Sequence, residues 1–192
     1  MKEGICGADC ESYLMLNPPT IEKRRKEGII RMDDHWFLNH YNGYEGFLGW
    51  LILSPIKHRE KLSELTPEET KGLGGHIRNV EIVLKKYWDE QFRNDEFWKI
   101  YVVSFSESKG YHLHFHLIPR TKKFSGSFSS CKPAWETPKM TICWDDFPEE
   151  YRIRCREKAI MGNAEIEKMG KIKDLIAFIK DFMKADWLIE PK

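Results

Sequence analysis

Three histidines alternate with apolar residues between positions 111 and 118, and they are the residues best suited to chemistry in this sequence. His112, His114 and His116 are each separated by one apolar residue. In a β-strand, successive side chains point to opposite faces, so the three imidazoles would share one face at a spacing of roughly 7 Å. We expect the apolar face to be buried and the imidazole face to be presented to a ligand.

The residue types leave three interpretations of this histidine face open. In the first, the rings are structural, which requires hydrogen-bond partners for a donor and an acceptor on every neutral imidazole. In the second, a His-x-His pair on a strand supplies two ligands to a metal ion. In the third, a neutral imidazole attacks phosphorus and forms a phosphoramidate that later hydrolyses, which divides one difficult displacement into two easier ones. Spacing alone does not decide between the metal and the nucleophile.

Composition gives no indication of a polyanionic partner. The chain has 31 Lys and Arg against 30 Asp and Glu, a formal net charge of +1, and nothing global points to nucleic acid or an acidic membrane. Affinity for phosphate would therefore come from a local site. The N-terminus lacks an apolar signal-peptide region and no apolar run approaches the roughly 20 residues that cross a bilayer, so we expect a soluble protein.

The cysteines favour a reduced, cytoplasmic setting. There are five, an odd number, and Cys131, Cys143 and Cys155 lie far from the close pair Cys6 and Cys10, a pattern that does not favour a disulfide framework. The close pair could place two thiolates on one ion, and zinc prefers sulfur and imidazole ligands. Its Cys-x-x-x-Cys spacing is one residue longer than the usual Cys-x-x-Cys.

The elements that would position the histidines can be read from hydrophobic periodicity. Residues 28–42 predict two strands joined by a turn at Asp33 and Asp34, and residues 50–53 predict a short buried strand. Residues 98–105 predict a strand next to the histidine strand. Thr66-Pro67-Glu68-Glu69 is a capping box and predicts the start of a long helix. Helical periodicity returns between Ile166 and Met183.

The histidine segment belongs to a longer series of motifs. His112-Leu113-His114-Phe115-His116-Leu117-Ile118 resembles the signature of the histidine-triad (HIT) family, and Pro119-Arg120 resembles the Pro-Arg that often follows it. Upstream, residues 47–58 resemble the family's Pro-Gly-His, apolar strand and Pro-x-x-His segment. Residues 62–69 resemble the beginning of its long helix. The similarity covers about residues 6–120 in the right order.

This resemblance implies an α+β fold and a mechanism. Residues 1–120 would form a HIT-like domain, an antiparallel sheet with a long packed helix, and residues 121–192 a C-terminal extension that is irregular and then helical. The middle histidine, His114, would attack the α-phosphate of a nucleotide and form a nucleotidyl-histidine. His116 would bind phosphate, and the protein would be a homodimer. The resulting activity is that of a nucleotide hydrolase or nucleotidyltransferase.

Substrate contacts are also implied by the resemblance. The position that binds ribose in several family members falls on Asn42, and the preceding segment would form the wall of the base pocket; the loop before the triad would contact phosphate. The residues concerned are His40, Tyr41, Asn42, Ser108, Lys109 and Gly110. Asn42 as a turn residue and residues 108–110 as a simple hairpin loop are the alternatives. Two departures, Trp50 in place of the Pro-Gly-His histidine and a short loop, leave the substrate open.

Some branches of the family bind zinc, and their ligand positions correspond to Cys6, Cys10, His58 and His112. Such a site would be structural, closed by four protein ligands, and would pin the N-terminus to the sheet. Without zinc, His112 would be available to hydrogen-bond phosphate. Two other hypotheses stay open: a zinc-stabilised nucleotide-binding module with little catalysis, and a metal-dependent enzyme that uses the histidine strand as ligands.

Overall fold

One antiparallel sheet of five strands organises the chain. The computed structural model describes residues 29–41, 47–104, 111–125 and 163–183. The strands, in chain order, are β1 (Ile29–Met32), β2 (Trp36–His40), β3 (Leu51–Pro55), β4 (Phe97–Val103) and β5 (Phe115–Thr121). Their order across the sheet is β1-β2-β3-β5-β4, and all neighbours are antiparallel. The strand formed last in sequence therefore lies inside the sheet, between β3 and β4.

The helices lie between and after these strands. A 3-10 turn, Leu62–Glu64, leads to the long helix α1 (Pro67–Gln91), and a short helix α2 (Lys122–Ser125) and a second long helix α3 (Asn163–Phe182) follow β5. Helix α1 begins at the predicted capping box: the Glu69 backbone N–H donates to Thr66 Oγ1 at 3.2 Å, and the Thr66 backbone N–H donates to Glu69 Oε2 at 2.8 Å. No helix in the described part of the chain is both long and apolar enough to span a membrane.

Both long helices contribute to the core that the sheet covers. Val80, Val83, Leu84 and Trp88 of α1 are completely buried, and α3 buries Ile172, Leu175, Ile176 and Ile179 in the same cluster. The Tyr87 hydroxyl donates to the carbonyl of Lys171 at 3.3 Å and connects the two helices directly. The predicted α+β fold, an antiparallel sheet with a long packed helix and a C-terminal helix, is confirmed. The division between residues 1–120 and 121–192 stays a prediction.

The predicted extent of the histidine strand is wrong at its beginning. Strand β5 starts at Phe115, so His112 and His114 precede it. The backbone N–H of Leu113 donates to the carbonyl of Arg59 at 2.6 Å, outside the sheet, which explains why ladder pairing begins only two residues later. Only His116 lies in β5, opposite Ile52 of β3.

A tight turn delivers the chain into β3. Gly49 has φ of +82°, a backbone conformation that residues with a Cβ rarely adopt. A Cβ at this position would lie 2.9 Å from Cη2 of Trp88 and 3.1 Å from Cγ of Pro119. Glycine is thus required by both the backbone angle and the close approach to α1 and β5, and the next residue, Trp50, is held at the start of β3.

Candidate active site

A chain of hydrogen bonds joins the second and third histidines to residues on either side. The indole N–H of Trp50 donates to Nδ1 of His116 at 2.9 Å. Nε2 of His116 is 3.0 Å from Nε2 of His114, and Nδ1 of His114 is 2.8 Å from the carbonyl oxygen of His112. The sheet makes the first contact possible, because β3 and β5 are neighbours and bring together residues 66 positions apart.

The partners at both ends of this chain determine where the protons lie. An indole N–H can only donate, so Nδ1 of His116 accepts and the proton of the neutral ring is on Nε2. A carbonyl oxygen can only accept, so His114 carries its proton on Nδ1 and has its lone pair on Nε2. The contact between the two rings is then a hydrogen bond from His116 Nε2–H to His114 Nε2.

Burial keeps two of the three histidines neutral. Burial, with a smaller contribution from the nearby His114, lowers the pKa of His116 to about 4. Burial also lowers the pKa of His112 to about 4, although the hydrogen bond to the Pro55 carbonyl opposes that shift. His114 is only half-buried. The expectation that all three rings are presented on an open face is therefore wrong: His112 and His116 are buried and His114 is the accessible member.

His112 has a different environment from the other two histidines. Its Nε2 donates to the carbonyl oxygen of Pro55 at 2.7 Å, which assigns the ring's lone pair to Nδ1. Its ring meets that of His58 edge-on, with centroids 5.2 Å apart, and Nε2 of His58 is 3.8 Å from a Glu60 carboxylate oxygen. The structure thus brings His58 and His112 together, as the zinc prediction requires.

The other two predicted zinc ligands, Cys6 and Cys10, lie outside the described residues. Within the ranges that the structure does describe, no group of three His, Cys, Asp or Glu side chains is arranged to hold a metal ion. The remaining two predicted ligands, His58 and His112, have their rings in contact. His112 donates its Nε2–H to the Pro55 carbonyl, as metal-bound histidines usually do with their other N–H, so this pair is chemically suited to zinc.

Aromatic side chains lie against the histidine chain. The Tyr41 ring stacks on the Trp50 ring, with centroids 4.5 Å apart, and meets the His116 ring edge-on, with centroids 6.0 Å apart. Its backbone N–H donates to the Trp50 carbonyl at 2.8 Å. Tyr41, predicted to wall the substrate pocket, thus lies beside the histidine that was predicted to bind phosphate.

His40, the other predicted pocket residue, is completely buried. Its Nδ1 donates to the carbonyl of Tyr41 at 2.9 Å, and its Nε2 accepts from the backbone N–H of Gly49 at 3.3 Å. Both ring nitrogens are thus engaged in holding the segment before β3. A contact between this side chain and substrate stays a prediction. Asn42, Ser108, Lys109 and Gly110 lie outside the described residues, and their roles also stay predictions.

Two residues of the site have roles that sequence reasoning missed. In the sequence Trp50 is distinguished only as a departure from a motif, and its hydrogen bond to His116 depends on strand pairing that no local pattern predicts. Arg59 donates from Nε and Nη2 to the Glu69 carboxylate at 3.0 and 3.2 Å, while its carbonyl holds Leu113. The capping box identified Glu69, but no pattern in the sequence singled out Arg59 as the link between helix α1 and the histidine segment.

Similarity to known proteins is confined to structure. Neither a protein-family model nor a curated protein matches the chain. The chain is similar to the C. elegans NitFhit protein, with 16% identity and a TM-score of 0.45, over 81% of this chain and 27% of that one. The chain thus spans only about a quarter of the length of NitFhit.

Two further solved structures are similar over most of both chains. One is the Plasmodium falciparum diadenosine triphosphate hydrolase in complex with cyclomarin A, with 12% identity and a TM-score of 0.47 over 86% of this chain and 80% of that one. The other is a Zn-bound histidine triad family protein from Mycobacterium smegmatis, with 13% identity and a TM-score of 0.43 over 82% and 87%. The second of these belongs to the family that the sequence motifs resemble. At 12% and 13% identity the likeness is one of fold.

Proposed function

We propose that the chain is a nucleotide hydrolase or nucleotidyltransferase in which Nε2 of His114 attacks the α-phosphate. One observation carries this proposal: the hydrogen bonds from Trp50 through His116 and from His114 to the His112 carbonyl leave the His114 lone pair on Nε2, with an N–H donor 3.0 Å away. A nucleophile beside a donor for a phosphoryl oxygen is the arrangement that phosphoryl transfer through a covalent intermediate requires.

In the first step the Nε2 lone pair of His114 forms a bond to phosphorus as the bond from phosphorus to the leaving-group oxygen breaks. The leaving group departs with that electron pair. The ring gains positive charge because it keeps its proton on Nδ1. The carbonyl oxygen of His112, 2.8 Å from Nδ1, accepts a hydrogen bond from this N–H and stabilises the positive charge as it develops.

His116 supplies the donor for this step. Its Nε2–H points at His114, so this hydrogen bond must move to a phosphoryl oxygen before the lone pair can attack. Because burial lowers the pKa of His116 to about 4, the ring is neutral near pH 7 and stabilises the phosphoryl oxygen as a fixed dipole.

In the second step a water molecule or another phosphate attacks phosphorus and breaks its bond to His114, which restores the lone pair. The acceptor separates hydrolase from transferase. We propose dinucleoside polyphosphates or nucleoside phosphoramidates as the substrate class, from the motif resemblance. Tyr41 beside the site supports an aromatic wall for the base. Contacts by His40, Asn42, Ser108, Lys109 and Gly110 are part of the same proposal.

The test is covalent trapping. Wild type incubated with an α-labelled dinucleotide and quenched in alkali should carry label on His114 that acid removes, and His114→Ala should carry none. His35→Ala, a change of an exposed histidine at the β1–β2 turn, should label like wild type. If no adduct forms and no nucleotide substrate is turned over, the proposed enzymatic activity is refuted. Nucleotide binding without turnover would identify the chain as a binding module instead.

We also propose a structural zinc ion held by Cys6, Cys10, His58 and His112. The contact between the His58 and His112 rings supports it. A bound ion would cross-link these four residues and would not activate water, since all four ligands would come from the protein. Metal analysis of Cys6→Ser and His58→Ala should show zinc lost from both variants, with His35→Ala as the control. Full retention of zinc in both would refute the assignment.

Three further points belong to the proposal. The motif resemblance supports a homodimer, and the odd number of cysteines supports a cytoplasmic setting. Sedimentation of the purified chain would check the dimer, and a mass corresponding to one chain would exclude it. Residues 1–120 as the catalytic unit and 121–192 as an extension are proposed on the same resemblance.

A further inference from the structure

Trp50 combines three properties at the edge of the site. It lies directly before β3, the residue is only 7% exposed, and its ring is stacked on that of Tyr41. Its indole N–H is directed at Nδ1 of His116 and not at a backbone carbonyl. Any buried tryptophan needs an acceptor for its indole N–H, even when the ring only fills space in the core. Here the acceptor is a side chain that takes part in the proposed reaction.

The chemistry of indole makes this hydrogen bond directional. Indole N–H is a donor only, and it has no acceptor site and no ionisation near neutral pH. His116 can therefore keep this bond only as the tautomer whose Nδ1 is unprotonated. In the other tautomer, an Nδ1–H would face the indole N–H, and the lone pair of His116 Nε2 would face the lone pair of His114 Nε2 at 3.0 Å.

We propose that Trp50 is a positioning residue that fixes the tautomer of His116 and thereby directs its Nε2–H into the site. The tautomer assignment stands on geometry alone, whereas its consequence for catalysis rests on the proposed function. Without the indole donor, only the acceptor Nε2 of His114 would favour this tautomer. The other tautomer, in which no proton faces the phosphoryl oxygen, would be populated more than in wild type. Trp50 thus acts on the phosphoryl-transfer step through His116.

The decisive measurement is the protonation of each ring nitrogen of His116. In the full chain labelled with ¹⁵N-histidine, long-range ¹H–¹⁵N spectra at neutral pH distinguish protonated from unprotonated ring nitrogens, and His116→Gln identifies the signals. Wild type should show His116 protonated on Nε2 and not on Nδ1. Trp50→Phe, which keeps an aromatic ring for Tyr41 but removes the N–H, should shift both signals toward the averaged values of mixed tautomers. A wild-type ring protonated on Nδ1, or unchanged signals in Trp50→Phe, would overturn the proposal.

Two controls separate the lost donor from a disturbed fold. Trp98→Phe makes the same substitution at a tryptophan of β4 that is 47% exposed, and it should leave the His116 signals unchanged. Trp50→His returns an N–H donor to the position and should restore part of the wild-type tautomer. A shift of equal size in Trp98→Phe would mean that the signals report general disturbance, which would also overturn the proposal.

Kinetics test the consequence for catalysis. Losing one correctly placed donor to a phosphoryl oxygen should lower kcat about 10- to 100-fold in Trp50→Phe with little change in KM, and Trp50→His should recover part of that loss. A changed KM with unchanged kcat would overturn the link to catalysis. If wild type forms no adduct and turns over no nucleotide, the proposed function fails, and the spectra still decide the tautomer independently.

Discussion

At the scale of single residues, neighbours give three similar histidines different roles. His112 donates to the Pro55 carbonyl and meets His58, His116 accepts from Trp50, and His114 donates to a carbonyl of its own segment. Alternation along a strand predicts one common face but not these differences. The direction of each hydrogen bond determines which nitrogen of each ring can accept, donate or attack.

The depressed pKa of His116 predicts a stability change in acid. The folded chain holds this ring neutral down to about pH 4, whereas an unfolded histidine gains a proton near pH 6.5, so the unfolded state binds more protons between these values. The stability contribution is complete above pH 6.5 and is lost as the pH falls to about 4. His116→Gln should reduce the acid loss in unfolding free energy by up to about 3 kcal/mol, measured by urea unfolding across this range.

The matched control for this prediction is His35→Gln, at an exposed position of the β1–β2 turn. Its curve of unfolding free energy against pH should follow that of wild type. Parallel curves for His116→Gln and wild type between pH 6.5 and 4 would contradict the prediction.

At the scale of elements, the turn before β3 depends on Gly49. Gly49→Ala should destabilise the fold by about 2 kcal/mol or more, because a Cβ is strained at φ of +82° and would lie 2.9 Å from Trp88. Gly74→Ala in helix α1 is the matched change, since nothing lies within 4 Å of its Cβ, and it should stabilise by roughly 0.5–1 kcal/mol. Thermal unfolding checks both. Equal effects of the two changes would contradict the assignment.

The ion pair between Arg59 and Glu69 connects the start of helix α1 to the histidine segment. Burial raises the pKa of Glu69, but hydrogen bonds from Arg59 and the Thr66 backbone outweigh it, and the pKa is lowered overall. A double-mutant cycle with Arg59→Ala and Glu69→Ala should give a coupling energy on the order of 1–3 kcal/mol, because removing one partner leaves a buried charge without its counterpart.

The exposed pair Lys85 and Asp89, at 2.6 Å on the same helix, is the control for this cycle. Its coupling should be below about 0.5 kcal/mol, because water screens both charges. Denaturant unfolding of the four single variants and two double variants gives both values. A coupling for Arg59 and Glu69 no larger than that of the surface pair would contradict a buried link.

Local signals explain which elements the sequence predicts. The start of α1 is predicted by Thr66 and Glu69 because a capping box acts within one helical turn. The strand predicted through His112 and His114 is wrong because Leu113 bonds to Arg59, a partner that no alternating pattern indicates. The role of Trp50 was equally beyond local patterns, since its partner is 66 residues away and is reached only through strand pairing.

At the scale of the whole molecule, helix α3 is part of the main core. Leu175 is completely buried among residues of the cluster that also includes Val80 and Leu84 of α1. Leu175→Ala should therefore reduce the free energy of unfolding by about 2–5 kcal/mol and leave a single transition. Lys173→Ala, at an exposed position of the same helix, should change it by less than about 0.5 kcal/mol. A small effect of Leu175→Ala, or a separate early transition, would show that α3 is only loosely attached.

The position of β5 between β3 and β4 also has a consequence for the time at which the site forms. Strands β1 to β4 leave the ribosome before β5, yet β3 and β4 become part of one sheet only through it. Until residues 115–121 have been synthesised, β3 and β4 each have an unpaired edge that could pair with other chains, and the indole N–H of Trp50 lacks its acceptor on His116. When β5 pairs with β3 and β4, it covers both of these edges and completes the hydrogen-bonded histidine chain. The site and the complete sheet therefore form together.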